Sequence, residues 1–279
     1  MYAAPSPEPI MARAATENFT VASRLLPRRA RRHLLAIYGF ARLVDELGDE
    51  LPGDRLAALD WLEQELTRAF AGTATHPLMV ALTPTIAECG LPRGPFERLI
   101  EANRVDQHVH SYASWQELLG YCHLSADPVG ELVLHVFDAA TPERIALSDA
   151  VCTALQLTEH WQDVSEDLAR ARVYVPLEDL ALHGCTIEAL SGSHVSEPLR
   201  RVLALEAART SLLFRQGDEL AASLRGWQRL AIAGYTGGGI AALEAIAIAG
   251  YEVLAGDPRP TRRRQIGAVV RVLIRAAGG

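Results

Sequence analysis

The sequence lacks the features that mark several common protein classes. Its four cysteines, Cys89, Cys122, Cys152 and Cys185, stand far apart with no C-x-x-C pair. That spacing fits small packed thiols in a reducing cytosol better than a metal ribbon or a redox motif. No uninterrupted apolar run reaches the roughly 18 residues that a membrane-spanning helix needs. The nearest approach, residues 240–254, contains Glu244 and Glu252 and reads as a core helix. The first residues, MYAAPSPEPIMARAATEN, are proline-rich, carry acidic groups and have no apolar signal core. A flexible lead-in over 1–16 and a cytoplasmic setting are therefore expected. Positive charge is also short, because 27 Lys+Arg against 34 Asp+Glu leave a net charge of −7. A general nucleic-acid binder needs the opposite balance. There is no repeat, no low-complexity linker and no G-x-G-x-x-G fingerprint.

What is present is helical periodicity. Apolar residues recur at three-and-four spacing throughout, and alternating strands are hard to find. Helices are predicted over 29–50, 54–71, 76–89, 94–110, 114–138, 142–170, 197–223, 228–255 and 260–276. Asp54 is placed to cap the second. Pro128, in SADPVG, should break the fifth, and the glycines of YTGGGI at 235–240 suggest a kink or a junction. The expected fold class is all-α, a single helical bundle over 17–279 with a central cavity.

Two acidic patterns stand out against this background. Glu159, Asp163 and Asp167 lie four residues apart in LQLTEHWQDVSEDLARARVYVP. On a helix they form one stripe, with neighbours about 5–6 Å apart. A bare stripe repels itself, so a bound cation is the economical explanation. Asp45 and Asp49 repeat the spacing inside IYGFARLVDELGDE, where Asp45 continues an apolar face. Two D-x-x-x-D pairs on facing helices suit a diphosphate, which carboxylates can hold only through magnesium. Metal and arginine together make diphosphate a competent leaving group. The carbocation left behind needs a dry pocket, and the rings of Tyr38, Phe40 or Tyr121 could stabilise it.

At these residues the chain resembles the squalene/phytoene synthase family, the head-to-head isoprenoid synthases. Three blocks carry the resemblance in order: NFTVASRLLPRRARRHLLAIYGFARLVDELGDE, YCHLSADPVGELVL, and the stripe with its trailing R-x-Y-x-P. The resemblance implies an isoprenoid synthase bundle that uses two or three Mg2+ ions. It implies Asp45, Asp49, Asp163 and Asp167 as metal-binding catalytic carboxylates, with Arg172 and Tyr174 beside them. Ser23, Arg24 and Arg42 match diphosphate-holding positions, and Tyr38, Tyr121 and Gln162 are taken as further substrate contacts.

Two departures matter. Glu159 stands where the family usually has Asn and could be a further metal ligand, and Gln162 stands where phytoene synthases carry Arg. The whole is most like bacterial hydroxysqualene synthases of the HpnC type. That likeness implies conversion of presqualene diphosphate and water to hydroxysqualene, with no nicotinamide, no nucleic acid, and coupling to the enzymes before and after it. A condensing squalene or phytoene synthase is the alternative, and a non-catalytic helical assembly factor the remote one. The basic, amphipathic RPTRRRQIGAVVRVLIRAA could dock on the core or touch anionic lipid at the inner membrane face.

Overall fold

A computed structural model describes residues 26–278. The lead-in expected over 1–16, together with Ser23 and Arg24, lies outside them. Among the described residues there is no strand; the one β-type pairing is an isolated bridge between Ser111 and Val173. The helices are α1 (Arg28–Asp45), α2 (Arg55–Phe70), α3 (Pro77–Cys89), α4 (Gly94–Val105), α5 (Trp115–Ser125), α6 (Asp127–Val136) and α7 (Pro142–Gln162). They continue as α8 (Val164–Ala169), α9 (Leu177–Leu182), α10 (Glu197–Phe214), α11 (Gln216–Ser223), α12 (Gly226–Ile248) and α13 (Arg262–Gly278). The chain divides into two compact units, Met1–His108 with Pro128–Ile145, and Val109–Asp127 with Ala146–Gly279.

The first unit is built on α1 to α4. Ile37, Phe40, Leu43, Val44 and Leu47 share a core with Leu59, Leu62 and Leu66 of α2, Met79 and Leu82 of α3, and Phe96 and Leu99 of α4. Sequence signals start and stop these helices as expected. The Asp54 carboxylate accepts the Ala57 N–H at 3.0 Å. Pro77 opens α3, and Gly90, at φ 59°, ends it in the left-handed conformation. The buried Glu65 carboxylate accepts the N–H groups of Thr75 and His76. Those bonds and Arg68 hold it ionised, down to about 2, against the effect of burial, so α2 is pinned to the start of α3.

The second unit packs α10 to α13 around the later part of α7. Its close approaches depend on glycine. A Cβ on Gly239 would fall 2.5 Å from Leu155 and 2.6 Å from Phe214, and one on Gly237 only 2.6 Å from the Val269 nitrogen. The YTGGGI glycines therefore make no kink; α12 runs unbroken through them and they serve packing. Alone among the described residues, α12 is long and apolar enough to cross a membrane, and over half of that window is buried inside the protein.

Pro128 does end one helix and begin another, since α5 closes at Ser125 and α6 opens at Asp127. The helix expected over 142–170 is interrupted at Asp163, at φ −97° and ψ 18°. The helix expected to reach Glu50 turns π-helical over Glu46–Glu50, where the Leu51 N–H reaches the Glu46 carbonyl at 3.0 Å. Single π turns of this kind often accompany functional sites. All four cysteines are free thiols.

Candidate active site

The first acidic pair sits where α1 passes into the π turn. Its spacing survives, but the two carboxylates differ in setting. Asp45 pairs with Arg42, Nη1 to Oδ2 at 3.3 Å. The main chain of Asp49 is held by Arg55, whose Nη2 donates to its carbonyl at 2.8 Å. Gly48, between them, is a contact point: a Cβ there would lie 2.0 Å from Asn103 Oδ1, and the Gly48 carbonyl accepts the Gln107 amide at 3.0 Å. Tyr38 is buried in α1. Phe40 is fully buried edge-on to Phe96, with ring centroids 4.9 Å apart, and is a core ring of this unit.

The acidic stripe belongs to the second unit. Although α7 ends at Gln162, helical hydrogen bonding carries across the break: Asp163 N–H reaches Glu159 O at 2.9 Å and Asp167 N–H reaches Asp163 O at 2.8 Å. The stripe thus keeps its register through a kink at its middle carboxylate. Burial, followed by the charges of Asp167, Glu166 and Asp257, pushes the Asp163 carboxyl up to about 6, against the opposing Arg259. Asp167 Oδ2 is buried and lies 3.5 Å from His160 Nδ1, long for a hydrogen bond. A half-buried carboxylate raised by its neighbours, beside a buried carboxylate oxygen with only a long contact to His160, is a donor set that a divalent cation would relieve, so the residues fit one.

Arg172 is placed by the backbone. Its N–H donates to the Asp167 carbonyl at 2.8 Å and the Ala171 N–H to Leu168 at 2.9 Å, a Schellman end with Ala171 left-handed at φ 59°. The five-residue step from Asp167 to Arg172 is therefore a turn geometry. The chain then lies against the segment before α5: Val173, Leu177 and Glu178 donate their N–H groups to His110, Tyr112 and Ala113 at 2.8–3.0 Å.

That pairing gathers four rings. Tyr174 stacks on His160 with centroids 3.6 Å apart and planes at 15°. Tyr112 stacks beyond it at 5.9 Å, and Tyr121 tilts onto Tyr174 at 5.6 Å. His160 Nδ1 lies 3.5 Å from Asp167 Oδ2. Burial keeps this imidazole below its usual range, opposed by Asp167 and reinforced by the charge of Arg172. Tyr121, Tyr174, Asp167 and Arg172 are thus brought into one neighbourhood. The Gln162 amide donates to the Pro258 carbonyl at 2.8 Å and tethers the 257–258 loop. Trp161 is core, donating to Thr210 at 2.9 Å.

His160, Tyr112 and Asp257 escaped the sequence reading. His160 sits seven residues before Asp167, two helical turns away on the same face, which was the available signal. Asp257 is distant in the chain and had none. His123, Asp127 and Asp149 also bring ligand-type atoms within 4.8 Å of one another. There Asp127 already accepts Thr153 Oγ1 at 2.8 Å and lies 3.1 Å from His123 Nδ1. A cleft of about 270 Å³ in the second unit is lined by Ala207, Phe214, Ile240, Leu243 and Tyr251. It is smaller than usual small-molecule sites and does not by itself meet the expectation of a hollow for a C30 chain.

Comparison with known proteins gives the same direction. The profile of the family described as "Squalene/phytoene synthase" matches residues 12–265. A hydroxysqualene synthase from Rhodopseudomonas palustris is 37% identical over 76% of this chain and 73% of its own. One from Zymomonas mobilis is 34% identical over 75% and 71%. Among solved structures, the squalene synthase HpnC from Alicyclobacillus acidocaldarius is 47% identical, covers 90% of this chain and 93% of its own, and superposes with a TM-score of 0.82. A ligand-bound dehydrosqualene synthase, 21% identical, shares the fold at a TM-score of 0.86 over 98% and 97%. The all-α fold, the ordered acidic motifs and these matches agree: the chain belongs to the squalene/phytoene synthase family.

Proposed function

We propose that this enzyme converts presqualene diphosphate and water to hydroxysqualene and diphosphate. The observation that carries the reading is the buried oxygen of Asp167, met only by a long contact from His160, beside the raised Asp163 carboxyl. That arrangement asks for cations, and the names of the most similar relatives supply the substrate class. Asp45, Asp49, Asp163 and Asp167, with Glu159 as a further ligand, would hold two or three Mg2+ ions. When bound, Mg2+ neutralises diphosphate charge as the carbon–oxygen bond breaks.

The remaining steps fall to the chain's own residues. Arg172 offers two parallel N–H donors to the departing diphosphate, which leaves with the bonding electron pair. Arg42, Ser23 and Arg24 are read as further anion contacts, and Tyr38 and Gln162 as substrate contacts. Tyr121 is read as presenting a ring face to the cyclopropylcarbinyl cation, with Tyr174, stacked on His160, packed against it. After the ring opens, a water oxygen bonds to the cation and releases its proton to solvent. The carbon count is unchanged and no hydride is consumed, so no nicotinamide is needed. The setting is cytoplasmic and peripheral to the inner membrane face, coupled to enzymes that make presqualene diphosphate and consume hydroxysqualene.

The test is product mass after incubation with presqualene diphosphate and Mg2+, alongside farnesyl and geranylgeranyl diphosphate with and without NADPH. Hydroxysqualene from presqualene diphosphate alone is the expected outcome; squalene or phytoene from the shorter diphosphates would favour the condensing reading. Asp45→Ala and Asp163→Ala should each lower kcat by about a hundredfold or more with little change in the circular-dichroism spectrum. Full activity in both would overturn the metal assignment.

A further inference from the structure

Helix α13 is apolar on two opposite faces. Ala268, Val272 and Ala276 are buried at 0%, 0% and 5% exposure, one helical row of mostly small residues. Gly237 lets this side come close, since the backbone of Val269 fills the space a Cβ would need. Two residues back in register lies a second row, Ile266, Val270 and Ile274, exposed at 64%, 46% and 67%. An offset of two residues turns about 200° around a helix. The larger aliphatics therefore face water while alanines pack inside, the reverse of what burial alone would select.

The charges on this helix are also sorted. Arg271 and Arg275 pair with Glu244 at 2.5 Å and Asp218 at 3.2 Å. Arg262, Arg263 and Arg264 are exposed and, among the described residues, make no ion pair. They occupy the first turn, where the helix dipole already presents positive charge and disfavours cations. Arg262 continues the row of Ile266, Val270 and Ile274 at four-residue steps, and Arg263 lies three before Ile266. The chain carries its positive charge entirely on arginine, the side chain that grips phosphate in bidentate fashion.

We propose that this face docks on an anionic phospholipid surface, with Ile266, Val270 and Ile274 entering the headgroup–acyl boundary and Arg262, Arg263 and Arg264 on lipid phosphates. The aliphatic row runs from 266 to 274, eight rises of the helix or about 12 Å. Three aliphatic side chains are far fewer than the roughly 20–30 residues a side of a stable protein interface, and a row this short suits shallow insertion beside an anionic headgroup layer. The inference rests on the peripheral placement proposed above and names its surface; it does not depend on which prenyl diphosphate is used.

The experiment is co-sedimentation of the full chain with vesicles of phosphatidylglycerol mixed into phosphatidylcholine, against phosphatidylcholine alone, at low and high salt. Wild-type protein should bind the anionic vesicles about tenfold or more tighter, with affinity falling as salt rises. The triple variant I266S/V270S/I274S should lose most of that binding. R262Q/R263Q/R264Q should lose it and its salt dependence, and both should keep kcat on detergent-dispersed substrate. Arginine variants do not alter packing, so they keep the test open should the serine variant melt early. Absence of wild-type binding to any vesicle would overturn the peripheral placement as well. Strong wild-type binding unchanged in both variants would overturn only this surface. A concentration-dependent dimer abolished by I266S/V270S/I274S would assign the face to a second copy and overturn the lipid reading.

Discussion

Glu206 shows how strongly one residue's setting can depart from its type. Its side chain is completely buried in α10, beside Asp179 and Arg209, whose Nη1 lies 2.6 Å from Asp179 and 3.1 Å from Glu206. Burial, then the hydrogen bond to the Asp179 carboxylate, pushes Glu206 up to about 9 against the pull of Arg209. The folded chain therefore keeps a proton that the unfolded chain, near 4.5, has released. Between these values the unfolded state binds fewer protons, so stability falls as pH rises through the window. Glu206→Gln keeps a donor for Asp179 and removes the titration. Melting temperatures across pH 5 to 9 should decline more steeply in wild type than in the variant; equal slopes would contradict the raised Glu206. Nothing in the sequence around Glu206 announces this cluster, because Asp179 lies on another element and burial is a tertiary fact. The shared register of Asp163 and Asp167, by contrast, was legible from spacing alone, since helix neighbours are fixed by local geometry.

At the scale of elements, helix existence was readable and helix interruptions were not. Capping by Asp54 and the stop at Pro128 are local chemistry, and both appear where the residues place them. The break at Asp163 left no mark, because hydrogen bonds to Glu159 and from Asp167 preserve the periodicity on each side. The YTGGGI glycines misled for the opposite reason: their partners, Val269, Leu155 and Phe214, are far away in sequence. The end of α8 carries a testable strain. Ala171 adopts φ 59°, a conformation that costs a non-glycine residue about 1–2 kcal/mol. Ala171→Gly should stabilise the fold by roughly 0.5–1 kcal/mol once glycine's greater unfolded-state entropy is subtracted. Urea denaturation measures this directly, and a loss of stability would mean that the Ala171 methyl contributes packing that outweighs the strain.

For the whole molecule, the proposed function makes the acidic stripe a place where cations would relieve the crowding of carboxylates. Mg2+ with inorganic diphosphate should raise the melting temperature. At a hundredfold excess over Kd, binding adds about 2.7 kcal/mol, or roughly 5–10 °C for a chain of this size. Asp163→Ala should abolish most of that rise while melting no earlier than wild type without ligand; an undiminished rise would place the ligands elsewhere. The two compact units each carry their own core, and residues 159–178 sit wholly in the second. There, main-chain bonds tie Val173, Leu177 and Glu178 to His110, Tyr112 and Ala113. A designer transplanting the aspartate–arginine end into another scaffold would need both segments as one cassette, with the spacing kept to the residue. A single inserted or deleted position there would misalign every rung of that seam at once, and no side-chain flexibility could restore it.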